Sequence, residues 1–361
     1  MQEAIAAGHI SGDGAFTARC QALLQQELGV QSVLLTTSCT HALELAALLL
    51  NIEPGDEVII PAFTFVATVN AFVLRGARPV FIDIREDTLN LDEGQLEQLI
   101  TERTKAIVVM HYAGVACEMD AIMQIAQRHG IPVVEDNAHG LFARYRGRYL
   151  GTFGTFATQS FHETKNFSCG EGGALIINDP AHVERAEIVR QKGTDRSRLL
   201  RGQVDKYTWV DVGSSYSPSD LLAAFLYAQL KKLQVISEAR RRIWERYQAE
   251  LATWAAANDI RQPFVPEHCE QPFHIYYLVL ASEAARDRLI EHLKTRGILG
   301  VFHYLPLHLS AMGVHYGGKV GDCPVTETVS GRLLRLPFYY DLSDADQERV
   351  ISAIRDFAAR S

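Results

Sequence analysis

The chain has 361 residues, 47% of them hydrophobic and 22% charged, with a net charge of −8. That is enough apolar side chain for one large domain plus a smaller one, and an acidic balance that argues against nucleic acid or an anionic membrane as a main partner. The six cysteines are scattered without a CxxC spacing and read as reduced thiols of a cytoplasmic protein. The longest apolar run, 43–50, contains Glu44 and is too short to cross a bilayer, and the first residues lack the basic end and apolar run of a secretion signal.

In chain order, a helical piece and a glycine turn (Ser11–Gly14) precede a helix around Phe16–Leu28. Residues 32–51 read as an apolar strand, a hydroxyl-rich turn and a helix, with Ser38 and Thr40 where the helix begins. Two roles suit them there. One is capping, which Ser and Thr perform routinely; the other is an anion seat built from free amides and the helix dipole. A strand at 58–63, a helix at 64–76, a strand at 77–84 and a helix capped by Asp92 follow. Next come a strand at 106–114, a helix over Asp120–His129 and a strand at 131–139. Two more strands, 154–162 and 173–179, flank a short polar segment. A helix (His182–Lys192), a polar arginine-containing loop (Gly193–Gly213) and a long helical region (Ser219–Ala249) come after them. A strand at 273–280, a helix over Glu283–Arg296, a strand at 300–308 and a helix from Ser343 complete the chain. A boundary near 235 separates a large unit (1–235) from a smaller C-terminal α/β unit (236–361). Apolar strands alternating with amphipathic helices predict an α/β fold with a mainly parallel central sheet and helices on both faces. Ligands of such sheets bind beyond the strands' carboxyl ends, where Asp136, His139, His111 and the Thr36–Thr40 turn fall.

Lys165 lies in SFHETKNFSCGEGG (160–173). A single lysine is ordinarily a solvated surface cation, and a single strand-end carboxylate is ordinarily a cap or an ion-pair partner. Together with Ser160 just upstream and the early anion seat, they form the set that pyridoxal phosphate (PLP) needs. The lysine joins the aldehyde as a Schiff base, and Asp136 keeps the pyridine nitrogen protonated. The histidines show no HExxH spacing, so no metal site is expected. GDGAFT at 12–17 follows no strand and is not a dinucleotide fingerprint.

These segments carry a resemblance. SGDGAFT, TTSCTHALELA, GDEVIIPAFTFVATVNA, VVEDNAHG, SFHETKNFSCGEGG, VFHYLPLH and LRLPFYYDLS resemble the DegT/DnrJ/StrS family of sugar aminotransferases over essentially the whole chain. HETKN, RGQVDKYTW and GSSY are most similar to its dTDP-4-amino-4,6-dideoxygalactose transaminases. The resemblance implies the type I PLP-transaminase fold and a homodimer with shared active sites, the region 193–217 crossing to the partner. In that region Arg196, Arg198, Arg201 and Lys206 would meet a nucleotide diphosphate or simply face solvent. It implies that Lys165 carries the cofactor and moves protons, that Asp136 pairs with the pyridine nitrogen, and that Phe65 stacks on the ring. Ser38, Thr40 and Ser160 would face the phosphate, and His303, Tyr304 and His308 would lie near the site's mouth. The implied reaction converts a nucleotide-linked 4-keto-6-deoxy sugar, dTDP-4-keto-6-deoxy-D-glucose, to dTDP-4-amino-4,6-dideoxy-D-galactose with L-glutamate as donor, in cell-surface glycan or lipopolysaccharide biosynthesis.

The chain departs from the family pattern in places. His139 stands where many relatives have a glutamine contacting the cofactor's phenolic oxygen, and Cys39 where glycine is common. GSSY replaces a segment whose asparagine reaches the partner's phosphate, which makes Ser215 the candidate for that role. The family's dehydratases carry histidine at the lysine position, so Lys165 argues against dehydration. The alternatives are the same fold with a different amino-sugar product, or a non-catalytic regulatory or sensory protein on that fold, which would not need the complete lysine, acid and phosphate set.

Overall fold

The computed structural model describes residues 1–357. Its strands are β1 (Ser32–Thr36), β2 (Glu57–Pro61), β3 (Arg78–Ile82), β4 (Thr104–Met110), β5 (Val133–Asp136), β6 (Arg144–Tyr145), β7 (Arg148–Tyr149), β8 (Phe156–Ser160), β9 (Gly173–Ile177), β10 (Cys269–Glu270), β11 (Tyr277–Val279) and β12 (Leu333–Arg335). Seven of them build the central sheet in the order β1-β9-β8-β5-β4-β2-β3. The pairs from β8 through β5, β4 and β2 to β3 are parallel, and β9 is antiparallel to both β8 and β1.

Successive side chains on a strand point to opposite faces, so each strand serves two cores. Leu34, Val58, Ile60, Val108 and Leu175 pack with helices Cys39–Leu49 and Val66–Val73 on one face. On the other face Val33, Leu35, Ala174 and Ile176 meet helices Ala15–Leu28 and Asp220–Leu230. Ile59, Ile107, Val109 and Val133 meet helix Met119–His129. Burial on both faces is why these strands read as unbroken apolar runs, each buried aliphatic side chain contributing about 1.5–3 kcal/mol.

The smaller unit packs antiparallel β11 and β12 against helices Leu233–Ala257, Glu283–Lys294 and Asp344–Arg355, around Ile243, Tyr247, Tyr276, Leu278 and Leu289. Ile236 still belongs to the large unit's core, so the helix Leu233–Ala257 carries the chain from one core to the other. A further cluster, with Phe63, Met110 and Tyr112 against Ile275, Tyr277 and Leu333, joins the two units.

Three expectations are corrected. The long helical region is two helices, Asp220–Leu230 and Leu233–Ala257. Residues 300–308 form no strand: Val301 alone bridges to Arg335, and Tyr304 turns into the left-handed region at φ 28°. The loop at 193–213 contains a helix, Arg196–Leu200, tied down on its own chain. Arg198 Nε donates to Glu184 (2.7 Å) and Arg201 Nη1 to Glu187 (2.7 Å). No described helix is long and apolar enough to cross a membrane.

Candidate active site

Asp136 closes β5 and is 4% exposed. Two donors hold its carboxylate: Thr68 Oγ1 reaches Oδ2 at 2.7 Å and the Ala138 amide reaches Oδ1 at 3.2 Å. Thr68 is fixed by Thr64 one helical turn earlier (2.9 Å). Burial pushes the Asp136 carboxyl up, while Thr68, Ala138 and the nearby Lys165 and His111 charges pull it back. A cationic donor placed against it therefore stabilises the ionised form.

The sheet register sets the next groups beside it. Asp136 pairs with Thr158 on β8, Ser160 pairs with Gly173 on β9, and Gly173 pairs with Thr36 on β1. Beyond Thr36 the chain turns into helix Cys39–Leu49. Ser38 caps that helix, accepting from the His41 amide at 3.1 Å. Capping uses one amide and leaves those of Cys39 and Thr40 pointing out of the helix start, so the two roles expected of this turn are compatible. Gly173 presses against the same turn: a Cβ there would lie 2.3 Å from the Ser38 carbonyl carbon and 2.4 Å from the Cys39 nitrogen. Only glycine leaves this cradle open. Cys39 binds the cradle to β8 through its thiol, which donates to Thr158 Oγ1 at 3.4 Å, and burial pushes that thiol's pKa up.

Lys165 sits on the connection from β8 to β9. The residue is half-buried, and burial lowers its pKa; Cys39 and Asp136 counteract this and Arg335 adds to it. Its amine makes no hydrogen bond among the described residues. A lysine pushed toward the neutral amine is a better nucleophile and proton acceptor.

Facing it is a histidine cluster drawn from both units. The Ala113 amide, from a residue at φ 56°, donates to His139 Nδ1 at 3.3 Å. That contact assigns the proton of neutral His139 to Nε2, which has Tyr304 OH 3.4 Å away. His139 stands therefore as a donor, as a glutamine amide would. His274 lies against it with ring centroids 4.2 Å apart and is held by Asn166 (2.9 Å). Tyr112 OH and His303 Nδ1 share a hydrogen bond at 2.7 Å, and His303 stacks on Tyr304 with ring centroids 3.7 Å apart. Burial first, then the Lys165 and Arg335 charges, keep all three histidines far below the usual imidazole range.

These histidines predict a pH dependence. The unfolded chain protonates each near 6.5, whereas the folded protein refuses the proton until well below that. Unfolding in that window takes up protons, so stability is present above about pH 6.5 and is lost as pH falls, by up to about 1.4 kcal/mol per pH unit for each histidine. Asp136, whose carboxyl is raised, works in the opposite sense but is one group against three. Thermal melts should give a clearly lower midpoint at pH 5.5 than at 7.5; equal midpoints would contradict the burial of neutral imidazoles.

Of the residues singled out in the sequence, Asp136, Lys165, His139, Ser160, Ser38 and Thr40 come together beyond the strand ends. Phe65 opens helix Val66–Val73 with 57% of its surface free and its ring 6.4 Å from Tyr304. Ser215 stays apart: it is exposed and uses only its backbone, in a bridge to Gln191. Its neighbour Tyr216 accepts from the Thr37 amide (2.8 Å), which brings this segment alongside the anion seat. His111 turns away from the site to Glu135 (3.1 Å), and His308 bonds to Glu327 (3.0 Å). No group of His, Cys, Asp or Glu among the described residues is arranged to hold a metal ion. Sequence reasoning missed Thr68, Tyr112, His274 and Arg335. The last two had a signal, a polar residue inside the apolar runs FHIYYLVL and LLRLPF.

The donor set fits pyridoxal phosphate. It offers a buried carboxylate for a ring N–H, an open hydroxyl-and-amide cradle for a phosphate, a free amine for an aldehyde, and an Nε2–H for a phenolic oxygen. Comparison with known proteins agrees. Residues 1–355 match the model of the DegT/DnrJ/EryC1/StrS aminotransferase family. The spore coat polysaccharide biosynthesis protein SpsC of Bacillus subtilis is 35% identical over 337 residues, 91% of this chain and 86% of that protein. The crystal structure of the aminotransferase TlmJ from Streptoalloteichus hindustanus superposes with a TM-score of 0.89 at 33% identity, covering 98% of this chain and 93% of that one. A putative sugar aminotransferase from Streptococcus pneumoniae, in its PMP form, gives 0.91 at 27% identity over 98% and 94%. The fold is that of the type I PLP aminotransferases, and the chain belongs to the DegT/DnrJ/EryC1/StrS aminotransferase family.

Proposed function

We propose that this protein is a PLP-dependent aminotransferase that converts dTDP-4-keto-6-deoxy-D-glucose to dTDP-4-amino-4,6-dideoxy-D-galactose with L-glutamate as donor. The observation that carries the reading is Lys165: a half-buried amine with no hydrogen bond among the described residues, its pKa lowered by burial, in the same site as Asp136. Bound pyridoxal phosphate would supply a reactive aldehyde and an electron sink. The chain's own groups do the rest. Asp136, steadied by Thr68, holds the proton of the ring nitrogen. The amides of Cys39 and Thr40 with the hydroxyls of Ser38, Thr40 and Ser160 bind the phosphate. His139 Nε2–H orients the phenolic oxygen. Lys165 Nζ accepts the proton from the α-carbon of the donor amino acid, and returns one to C4 of the sugar. The face from which that proton arrives sets the configuration of the amine.

The dTDP sugar and the galacto product rest on the resemblance of HETKN, RGQVDKYTW and GSSY to that branch of the family. A homodimer with shared sites is supported by exposed apolar side chains that call for cover: Trp209 is 76% exposed and Val210 and Val212 about half, on the same loop, while Phe65 opens at the cleft. With Arg198 and Arg201 spent on Glu184 and Glu187, Arg196 and Lys206 are the cations of that loop open to a diphosphate.

The test is the product. Enzyme, PLP, L-glutamate and the 4-keto sugar nucleotide should yield a 4-amino sugar whose H4 shows only small couplings to H3 and H5 in the proton NMR spectrum, as an axial amine requires. Large diaxial couplings would replace the galacto product with the gluco one. No amine, with glutamate untouched, would return the non-catalytic alternative.

A further inference from the structure

Three consecutive residues of the smaller unit, Pro272, Phe273 and His274, lead toward β11, and each gives its carbonyl to a side chain outside the segment. Asn166 Nδ2 donates to the Pro272 carbonyl at 2.7 Å. Arg240, buried on helix Leu233–Ala257, donates through Nε to the Phe273 carbonyl at 2.9 Å and through Nη2 to that of His274 at 2.6 Å. Phe273 sits at φ 54°, a left-handed conformation that a residue with a side chain keeps only where its surroundings hold it. Gly114 lets the segment close on the large unit: a Cβ there would lie 2.4 Å from Pro272 Cδ and 2.7 Å from the His139 carbonyl oxygen.

Asn166 follows Lys165 in the chain, and both ends of its amide are spent on this segment. With Nδ2 given to Pro272, Oδ1 faces His274 Nδ1 at 2.9 Å and can only accept, so Nδ1 carries the proton of the neutral His274 ring. That ring is buried and packs on His139, their centroids 4.2 Å apart. The next residue, Phe167, is buried in the large unit's core with its ring 5.5 Å from that of Phe142. The connection that carries Lys165 is thus anchored in the large unit at Phe167 and pinned to the smaller unit at Asn166. One side chain bears on two groups of the site: on Lys165 through the backbone, and on His139 through the His274 ring.

We propose that Asn166 is a positioning residue: its amide seats the smaller unit on the lysine connection and so aligns Lys165 and, through His274, the Nε2–H of His139. This rests on the roles given to Lys165 and His139 above and adds what holds them. Proton transfer between Lys165 and a substrate carbon depends on such alignment, a displacement of about 1 Å costing about 100-fold in rate. A fixed Nε2–H also draws the charge of the cofactor's phenolic oxygen away from the nitrogen that joins lysine to cofactor, which lowers that nitrogen's pKa; a loosened donor gives this up.

The experiment compares wild type with Asn166→Ala, His274→Phe and the double variant. Phenylalanine keeps a ring against His139 and loses the bond to Asn166. In the cofactor-free proteins, amide hydrogen exchange is followed by mass spectrometry. Asn166→Ala should speed exchange about 10-fold or more in peptides spanning 160–170 and 269–279 together. In the PLP-loaded protein the pH midpoint of the visible band should rise by about half a unit or more. Its kcat should fall about 100-fold, with the KM for L-glutamate within about threefold of wild type, and both half-reactions should slow alike because they share the lysine. His274→Phe should move the band in the same direction, and adding it to Asn166→Ala should change the midpoint no further, since both remove one link. Faster exchange at 269–279 alone, with the band midpoint and kcat of wild type, would make Asn166 a brace of the smaller unit and overturn the proposal. Additive shifts in the double variant would overturn it as well. Should Asn166→Ala not fold, His274→Phe decides by the exchange and band criteria. A wild-type protein whose visible band ignores L-glutamate would overturn the amino-transfer reading itself; the exchange comparison needs no cofactor and would still decide the link.

Discussion

Lys165→Ala is expected to abolish amino transfer, lowering the rate by about four orders of magnitude or more, because one amine serves as both attachment point and proton carrier. The fold should not notice. Lys165 Nζ makes no hydrogen bond among the described residues, and its partial burial disfavours the charge it carries. Removing it therefore costs no native contact of consequence, and the melting temperature of the cofactor-free variant should stay at or above that of wild type. The measurement pairs steady-state turnover with thermal melts. Wild-type turnover in a folded Lys165→Ala protein would refute the role of the lysine, while an unfolded variant would show that the side chain holds structure the hydrogen bonds do not reveal.

Asp136→Asn tests the other half of the pair. The asparagine carbonyl can still accept from Thr68, so the helix at Val66–Val73 stays tethered. What disappears is the negative charge that keeps a pyridine nitrogen protonated. The proton-transfer step should slow by roughly a thousandfold, the scale of removing one preorganised charge from a transition state. Stability of the cofactor-free protein should hold or rise, since burial pushes the Asp136 carboxyl up and the substitution relieves that penalty. Stopped-flow measurement of the L-glutamate half-reaction separates this from a binding defect. An unchanged rate would mean that Asp136 is a structural cap on β5 and not part of the chemistry.

Much of this was legible in the chain because the chemistry and the sheet share one grammar. Asp136 follows Val133 and Val134 in an apolar run, and a run that ends in an acid is a strand delivering a carboxylate to the ligand edge. Lys165 gained meaning from that strand. The boundary of the helix at 233 was not legible, since Lys231 and Lys232 break the helical path without a glycine or proline. The stretch 300–308 has strand-like composition, but its backbone meets a partner only at Val301 before Tyr304 turns left-handed. Its rings are used for the site rather than for a ladder. Thr68 looks like any residue of a first helical turn. His274 and Arg335 belong to the other unit, and only the packing of Tyr277 and Leu333 on Tyr112 and Met110 brings them to the lysine. Such contacts between distant segments leave no local pattern to read.

The most direct test of the account is to find where the cofactor attaches. PLP-loaded wild-type protein is reduced with borohydride, digested, and its peptides are weighed by mass spectrometry. The account predicts a single phosphopyridoxyl label on the peptide carrying Lys165, and prior treatment with L-glutamate should prevent it by moving the cofactor off the lysine. A label on a different lysine, or none on Lys165 in folded protein, would contradict the assignment of this amine as the centre of the site.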